Sequence, residues 1–124
     1  MNENFLEIIS NIQKKKILCI GDIILDNYIS NEFIKISEED PVNVIKRRKE
    51  SFKLGGVGNV ALNLKNFGIN LDLITLGSKD EKFKIIKKLI KKNNINSKIF
   101  YFKNSRITII EKTKNKDIIS QLKK

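Results

Sequence analysis

Histidine and tryptophan are absent from this chain of 124 residues, and cysteine, proline and methionine occur once each. Without histidine there is no imidazole to act as acid or base, and one thiol is too few for an ordinary zinc site. The single thiol, Cys19, has no internal disulfide partner. Its place in the apolar run Ile17-Leu18-Cys19-Ile20 predicts a small buried core residue and fits a reducing cytosol. Long hydrophobic runs are missing too: no stretch approaches the roughly 20 apolar residues of a membrane-spanning helix. Met1-Asn2-Glu3-Asn4 lacks the basic start and small-residue cleavage site of a secretory signal. The expectation is a cytoplasmic protein with no membrane partner.

Acidic residues are scarce. Lys and Arg number 25 against 14 Asp and Glu, a formal charge of +11. Such an excess suits a polyanion, or draws in a small anionic substrate. It is mostly lysine, however, spread from Lys14 to Lys124 in a chain rich in Ile and Asn. All three residues have AT-rich codons, so compositional bias is the preferred explanation, and no recognised nucleic-acid motif accompanies the charge. No nucleic-acid partner is expected.

An apolar fraction of 40% with 31% charged residues is ordinary for one soluble domain with a real core. Phe5, Ile8, Ile9 and Ile12 recur at helical spacing and predict a helix over 3–13. The run Ile17 to Ile20, closed by Gly21, suits a strand covered on both faces of a parallel sheet. Residues 28–36 and 42–48 read as two short flap strands joined by the acidic turn Ser37-Glu38-Glu39-Asp40-Pro41. The basic run Lys46-Arg47-Arg48-Lys49 is either a solvated strand end or an attractor of anions.

Val57, Val60, Ala61, Leu64 and Phe67 mark a helix that Gly68 can end in a left-handed cap. Leu71 to Leu76 is a buried strand. Residues 80–93 form a helix with Phe83, Ile86, Leu89 and Ile90 inside and lysines on a solvated outer face. Ser97–Phe102 and Ile107–Glu111 read as further strands, and a weak pattern around Ile118, Ile119 and Leu122 follows. The fold class is α/β, and the chain is one domain or one piece of one.

Two segments carry candidate chemistry. In open α/β sheets, ligands collect beyond the carboxyl ends of the strands. Asp22 and Asp26 follow such a strand end, where a carboxylate accepts hydrogen bonds from sugar hydroxyls or stabilises the loop. In Gly55-Gly56-Val57-Gly58-Asn59, glycines permit close backbone approach and Asn59 offers both donor and acceptor to a polyol. The spacing is neither the G-x-G-x-x-G of dinucleotide folds nor a P-loop. Taken alone, it serves structure as well as ligand contact.

Together the segments resemble a family. Lys16 to Asp26 is similar to the opening strand of the ribokinase-like (PfkB) sugar kinases. Ile36-Ser37-Glu38-Glu39-Asp40-Pro41-Val42-Asn43-Val44 resembles the "R-I-S-P-E-A-P-V-P-V" stretch of the heptose-7-phosphate kinase domain of bacterial ADP-heptose synthesis. Gly55 to Asn63 resembles that domain's "G-G-A-A-N-V-A-L-N", and Gly68 falls where a family glycine is expected. The resemblance runs from about Lys16 to Glu111. It implies the N-terminal half of a ribokinase-like three-layer sandwich with a small β lid, over about 28–36 and 42–48. It also implies ATP and Mg2+ as cofactors and phosphoryl transfer to the anomeric hydroxyl of a phosphorylated sugar, heptose 7-phosphate above all. By position, Asp26, Gly55, Gly56 and Asn59 become the sugar contacts. A partner chain, or a homodimer through the lid strands, is a further implication.

Departures from the pattern are specific. Val57 replaces a small residue beside the glycine turn, and Ser78 stands where the family has a glycine before Asp80. Thr108-Ile109-Ile110-Glu111 replaces the family's T-K-x-R, so basic residues expected near the phosphosugar are missing or displaced. The family's G-A-G-D anion hole, its catalytic aspartate and most of its ATP pocket do not occur in these 124 residues. No catalytic residue and no metal ligand is therefore assigned here. The resemblance implies half of a split kinase or a remnant without activity of its own; the alternative is a non-catalytic sugar-binding or interaction module. In an ATP-consumption assay with heptose 7-phosphate, the isolated chain is expected to show no turnover above background, and robust turnover would defeat this reading.

Overall fold

The computed structural model describes residues 3–35 and 44–115. Its elements in chain order are α1 (Glu3–Gln13), β1 (Lys16–Ile20), β2 (Ile23–Lys35), β3 (Val44–Gly56), α2 (Val57–Asn66), β4 (Asn70–Gly77), α3 (Glu81–Lys92), β5 (Asn96–Tyr101) and β6 (Thr108–Asn115). They build two three-stranded sheets. The first is all parallel in the order β1-β4-β5; the second, in the order β3-β2-β6, pairs β2 antiparallel to β3 and parallel to β6.

Alternation explains how the sheets share one core. Ile23, Leu25 and Ile29 point inward from β2, and Leu71 and Leu73 do so from β4. Cys19 of β1, Leu54 of β3, Ala61 of α2 and Phe83, Ile86 and Ile90 of α3 complete the same buried cluster. Leu25, Leu73, Phe83 and Ile86 are its largest fully enclosed side chains. The Phe83 ring meets Tyr101 edge to face, with centroids 5.9 Å apart. Burying side chains of this size supplies most of the drive to fold.

Helix ends follow local chemistry. Asp80 caps α3: its Oδ1 accepts from the Phe83 backbone N–H at 2.8 Å, and its Oδ2 accepts from the Ser78 hydroxyl at 2.6 Å. Ser78, where the resemblance leads one to expect a glycine, therefore supplies a buried hydroxyl that fixes the cap. At the end of α2, Gly68 takes a φ of 74°, the left-handed conformation expected of it. Its N–H and that of Ile69 return to the Lys65 and Leu64 carbonyls.

Several expectations are revised. Strand β1 is covered on one face, not two. Cys19 is buried, but Leu18 and Ile20 are 55% and 67% exposed among the described residues. The two flap strands are longer than 28–36 and 42–48, each forming 13 residues of a continuous ladder from Ile23↔Gly56 to Lys35↔Val44. The last strand also continues beyond Glu111, to Asn115. The expected acidic turn Ser37–Pro41, with Ile36 and Val42, lies outside the described residues, as does the pattern at Ile118, Ile119 and Leu122. No helix among the described residues is long and apolar enough to cross a membrane.

Replacing Asp80 with Ala is expected to cost about 1 kcal/mol in urea unfolding at neutral pH. The Ser78 hydrogen bond, with that from the Phe83 N–H, holds the Asp80 carboxyl below its ordinary value of 3.8 in the fold. The increment is therefore present above pH 3.8 and fades as the pH falls through the lower folded value. Stability curves of the parent and Asp80→Ala proteins should converge in acid; a constant gap would contradict the assignment.

Candidate functional site

The site begins where the parallel sheet hands the chain to the mixed one. The N–H of Gly21 donates to the Ile74 carbonyl at 3.2 Å, which keeps Gly21 at the end of the parallel sheet. Val57 closes over it, its Cβ lying 3.3 Å from where a Gly21 Cβ would be. The bulk of Val57 is thus accommodated by glycine opposite. One residue on, the Asp22 carbonyl accepts the Val57 N–H at 3.0 Å and so anchors the start of α2.

Gly56 makes that approach possible. Its φ is 57°, and a Cβ there would collide with the Asp22 carbonyl oxygen. No side chain caps α2, so this backbone contact does the work of a cap. Gly55 acts differently. A Cβ on it would stand 3.0 Å from Asp26 Oδ2, so its bare backbone leaves the carboxylate its place.

Asp26 does not follow a strand end, as the sequence pattern implied. The chain breaks only at Gly21-Asp22 and resumes at Ile23, which puts Asp26 in the middle of β2. It lies across from Lys53 of β3 and from Ile110 of β6. Its carboxylate is not a loop stabiliser either, since Lys112 Nζ sits 3.1 Å from Oδ2 and 3.3 Å from the Tyr28 hydroxyl. Asp26 is the better shielded partner, with 13% of its side chain exposed against 43% for Lys112. The Asp26 hydrogen bond, and then that of Tyr28, raise the Lys112 ammonium above its ordinary value, so it is fully charged at neutral pH. Lys53 Nζ lies 5.0 Å from the Tyr28 ring centroid, adding a second cation to the same face.

Lys112 is the residue that the sequence pattern missed. Thr108–Glu111 carries no base, but one residue further the strand presents a lysine to the carboxylate. Extending the alternation of Thr108 and Ile110 by one step would have found it. Asn59 stands in the first turn of α2, exposed and without a side-chain hydrogen bond among the described residues. The structure thus brings Asp26 and Gly55 together, ties Gly56 to Asp22, and sets Asn59 a turn beyond. A cleft of about 400 Å3 adjoins this face, lined by Tyr28, Ser30, Lys49, Ser51 and Lys53 among others.

A carboxylate, ammonium groups and hydroxyls on one sheet face suit a polyol carrying an anionic group. A metal ion is less well served. Among the described residues no three acidic, histidine or cysteine groups come together in a way that could hold one. Asp26 is engaged by Lys112, and Asp80 by Ser78 and the Phe83 N–H.

The family profile of pfkB carbohydrate kinases matches residues 14–122. The chain belongs to the pfkB family of carbohydrate kinases. Among curated relatives of this pfkB chain, the bifunctional protein HldE of Campylobacter concisus is 35% identical over 99 residues. That match covers 80% of this chain and 21% of the relative. HldE of Aliarcobacter butzleri is 38% identical over 96 residues, covering 77% of this chain and 20% of its own length. The chain therefore spans about a fifth of the length of these relatives.

Solved structures agree on the fold. A carbohydrate kinase from Agrobacterium tumefaciens superposes with a TM-score of 0.61 at 22% identity, covering 83% of this chain and 32% of that one. A nucleoside kinase of Methanocaldococcus jannaschii, an archaeal member of the ribokinase family, gives 0.56 at 24%, with coverages of 85% and 34%. The fold is the ribokinase-like α/β fold, of which this pfkB chain covers about a third.

The two glycines should respond differently to substitution. Gly56→Ala forces a left-handed alanine against a carbonyl and is expected to cost about 2–3 kcal/mol in denaturant unfolding. Gly55→Ala should cost less, because the Asp26 side chain can move, and should instead shift the NMR signals of the Asp26 and Lys112 side chains. Equal losses of stability would refute the division of roles.

Proposed function

We propose that this chain is the sugar-recognising part of a carbohydrate kinase whose acceptor is a phosphorylated sugar of the heptose 7-phosphate type. The observation that carries the reading is the ion pair between Asp26 and Lys112 beside Gly55 and Gly56 at the end of β3, in a chain of the pfkB family. Likeness to the HldE proteins supports the heptose class.

In this reading Asp26 accepts hydrogen bonds from sugar hydroxyls. Gly55 and Gly56 let the ring approach the backbone, and Asn59 donates to and accepts from a further hydroxyl. Lys112, with Lys53 beside it, faces the sugar's phosphate and favours phosphorylated over free sugars. Strands β2 and β3 act as the lid, and shielding the acceptor hydroxyl from water favours transfer to sugar over hydrolysis. ATP, when bound to the complete kinase, supplies the phosphoryl group. The base that deprotonates the acceptor is not among the residues assigned here, so binding, orientation and exclusion of water are this chain's contributions.

Calorimetry with heptose 7-phosphate and with the unphosphorylated heptose tests the reading. The chain should bind the phosphorylated sugar more tightly. Asp26→Asn and Asn59→Ala should each weaken binding of both sugars by about tenfold. Lys112→Gln should narrow the preference for the phosphorylated one. Equal affinity for the two sugars, or no binding by the folded chain, would reject it.

A further inference from the structure

The outward face of the mixed sheet sets side chains from three strands in a fixed grid. On β2, Asp26 has Lys53 of β3 and Ile110 of β6 across from it. Two residues on, Tyr28 has Ser51 of β3 and Lys112 of β6 across from it. Alternation puts all six on one face. The contacts do not simply follow the rungs. Lys53 stands opposite Asp26 but makes no ion pair with it among the described residues. Its ammonium lies instead 5.0 Å from the centre of the Tyr28 ring. Lys112 stands opposite Tyr28 and reaches diagonally to Asp26 at 3.1 Å, keeping the Tyr28 hydroxyl at 3.3 Å. Diagonal neighbours on a sheet are within reach of long side chains, so neither contact needs strain.

Tyr28 thus engages two ammonium groups by two different means. Lys112 Nζ is closer to the hydroxyl than to the ring centre, 5.1 Å away, so it donates a hydrogen bond to the phenolic oxygen. Lys53 meets the ring itself, whose electron-rich face attracts a cation. An ammonium has three donors, and two of those of Lys112 are placed, on Asp26 and on Tyr28. With Asp26 as its sole anchor, Lys112 would be released to water whenever another donor engaged that carboxylate. Recapturing a lysine side chain costs rotamer entropy. The Tyr28 hydroxyl removes this dependence. Tyr28 also lines the cleft of about 400 Å3 together with Ser51 and Lys53, so β2 carries Lys112 on one flank of the ring and the cleft on the other.

We propose that Tyr28 is a positioning residue: its hydroxyl keeps the Lys112 ammonium at the site when Asp26 is engaged by another donor, and its ring keeps Lys53 turned from Asp26. The carboxylate then has one cation to exchange, not two. The consequence for binding rests on the sugar reading given above. On that reading an incoming sugar hydroxyl takes the Asp26 contact while Lys112 stays poised for the anionic group. Tyr28 acts through the two lysines and requires no contact of its own with the ligand.

NMR of the full chain tests the retention of Lys112 with no ligand present. Nuclear Overhauser contacts between the Lys112 ε-protons and the Tyr28 ring are expected to persist in Asp26→Asn and in Asp26→Ala. They should vanish when Tyr28→Phe is added to either. The Lys53 ε-protons should keep their ring-current shift in Tyr28→Phe and lose it in Tyr28→Leu. Loss of the Lys112 contacts in both Asp26 variants, or their survival in both double variants, would overturn the proposal.

Calorimetry with heptose 7-phosphate reads the consequence. Tyr28→Phe should bind it about tenfold more weakly than the parent, with an unaltered urea midpoint. Parent-like affinity in Tyr28→Phe would refute the positioning role and leave the sugar reading standing. A lowered midpoint with unchanged affinity would reduce Tyr28 to a structural residue and refute it as well. If the parent itself does not bind, the sugar reading fails, and the NMR contacts still decide what Tyr28 does.

Discussion

The backbone approach of Gly56 to Asp22 is the constraint on which the rest of the structure depends. At that point three things meet: the end of β1's sheet, the last pair of the β2–β3 ladder, and the first turn of α2. Each needs the others within hydrogen-bond distance. A side chain at Gly56 would part them together, since the Asp22 carbonyl both leads β1 into β2 and accepts the first N–H of α2. The candidate sugar residues hang on the same junction. Asp26 is four residues beyond Asp22, and Asn59 three beyond Gly56, so the geometry of the junction sets where each of them stands.

From this junction the two faces of the mixed sheet diverge in character. The inward face gives Ile23 and Leu25 to the common core and also buries Ile29. The outward face carries Asp26, Tyr28, Lys53 and Lys112, in which a carboxylate is enclosed by cations and an aromatic ring. A ligand that enters must replace the Asp26–Lys112 hydrogen bond with another. In the proposed reading, that arrangement suits a ligand with both hydroxyls and an anion, because a neutral sugar would satisfy only the carboxylate.

Much of this was legible in the sequence, and what was not has physical causes. Helical spacing marked α2 and α3, Gly68 marked a left-handed stop, and Cys19 is buried as its apolar run suggested. Strand β3 was harder to see, since Arg48, Lys49, Glu50 and Ser51 are polar and exposed and the ladder there is a backbone matter. Strand β2 was obscured by Asn27, a polar residue buried to 3% exposure that interrupts the apolar alternation of Leu25 and Ile29. Lys112 was invisible as a partner for Asp26 because 86 residues separate them. Only the parallel pairing of β6 with β2 makes them neighbours. The one-sided cover of β1 reflects tertiary layering that a run of four apolar residues cannot encode.

The distance along the chain between β2 and β6 also has a consequence for the order of assembly. The β2–β3 ladder precedes α2, β4, α3 and β5, all of which emerge before β6. Pairing strands that far apart in sequence costs more loop-closure entropy than pairing β2 with β3 and is the slower step. During synthesis and folding β2 therefore presents a free edge, with Asp26 lacking its lysine, until β6 docks beside it. The positive charge of Lys112 then has a role apart from the proposed ligand contact. It rewards the correct strand for arriving at that edge, because a wrong strand would leave a half-buried carboxylate without its counter-ion.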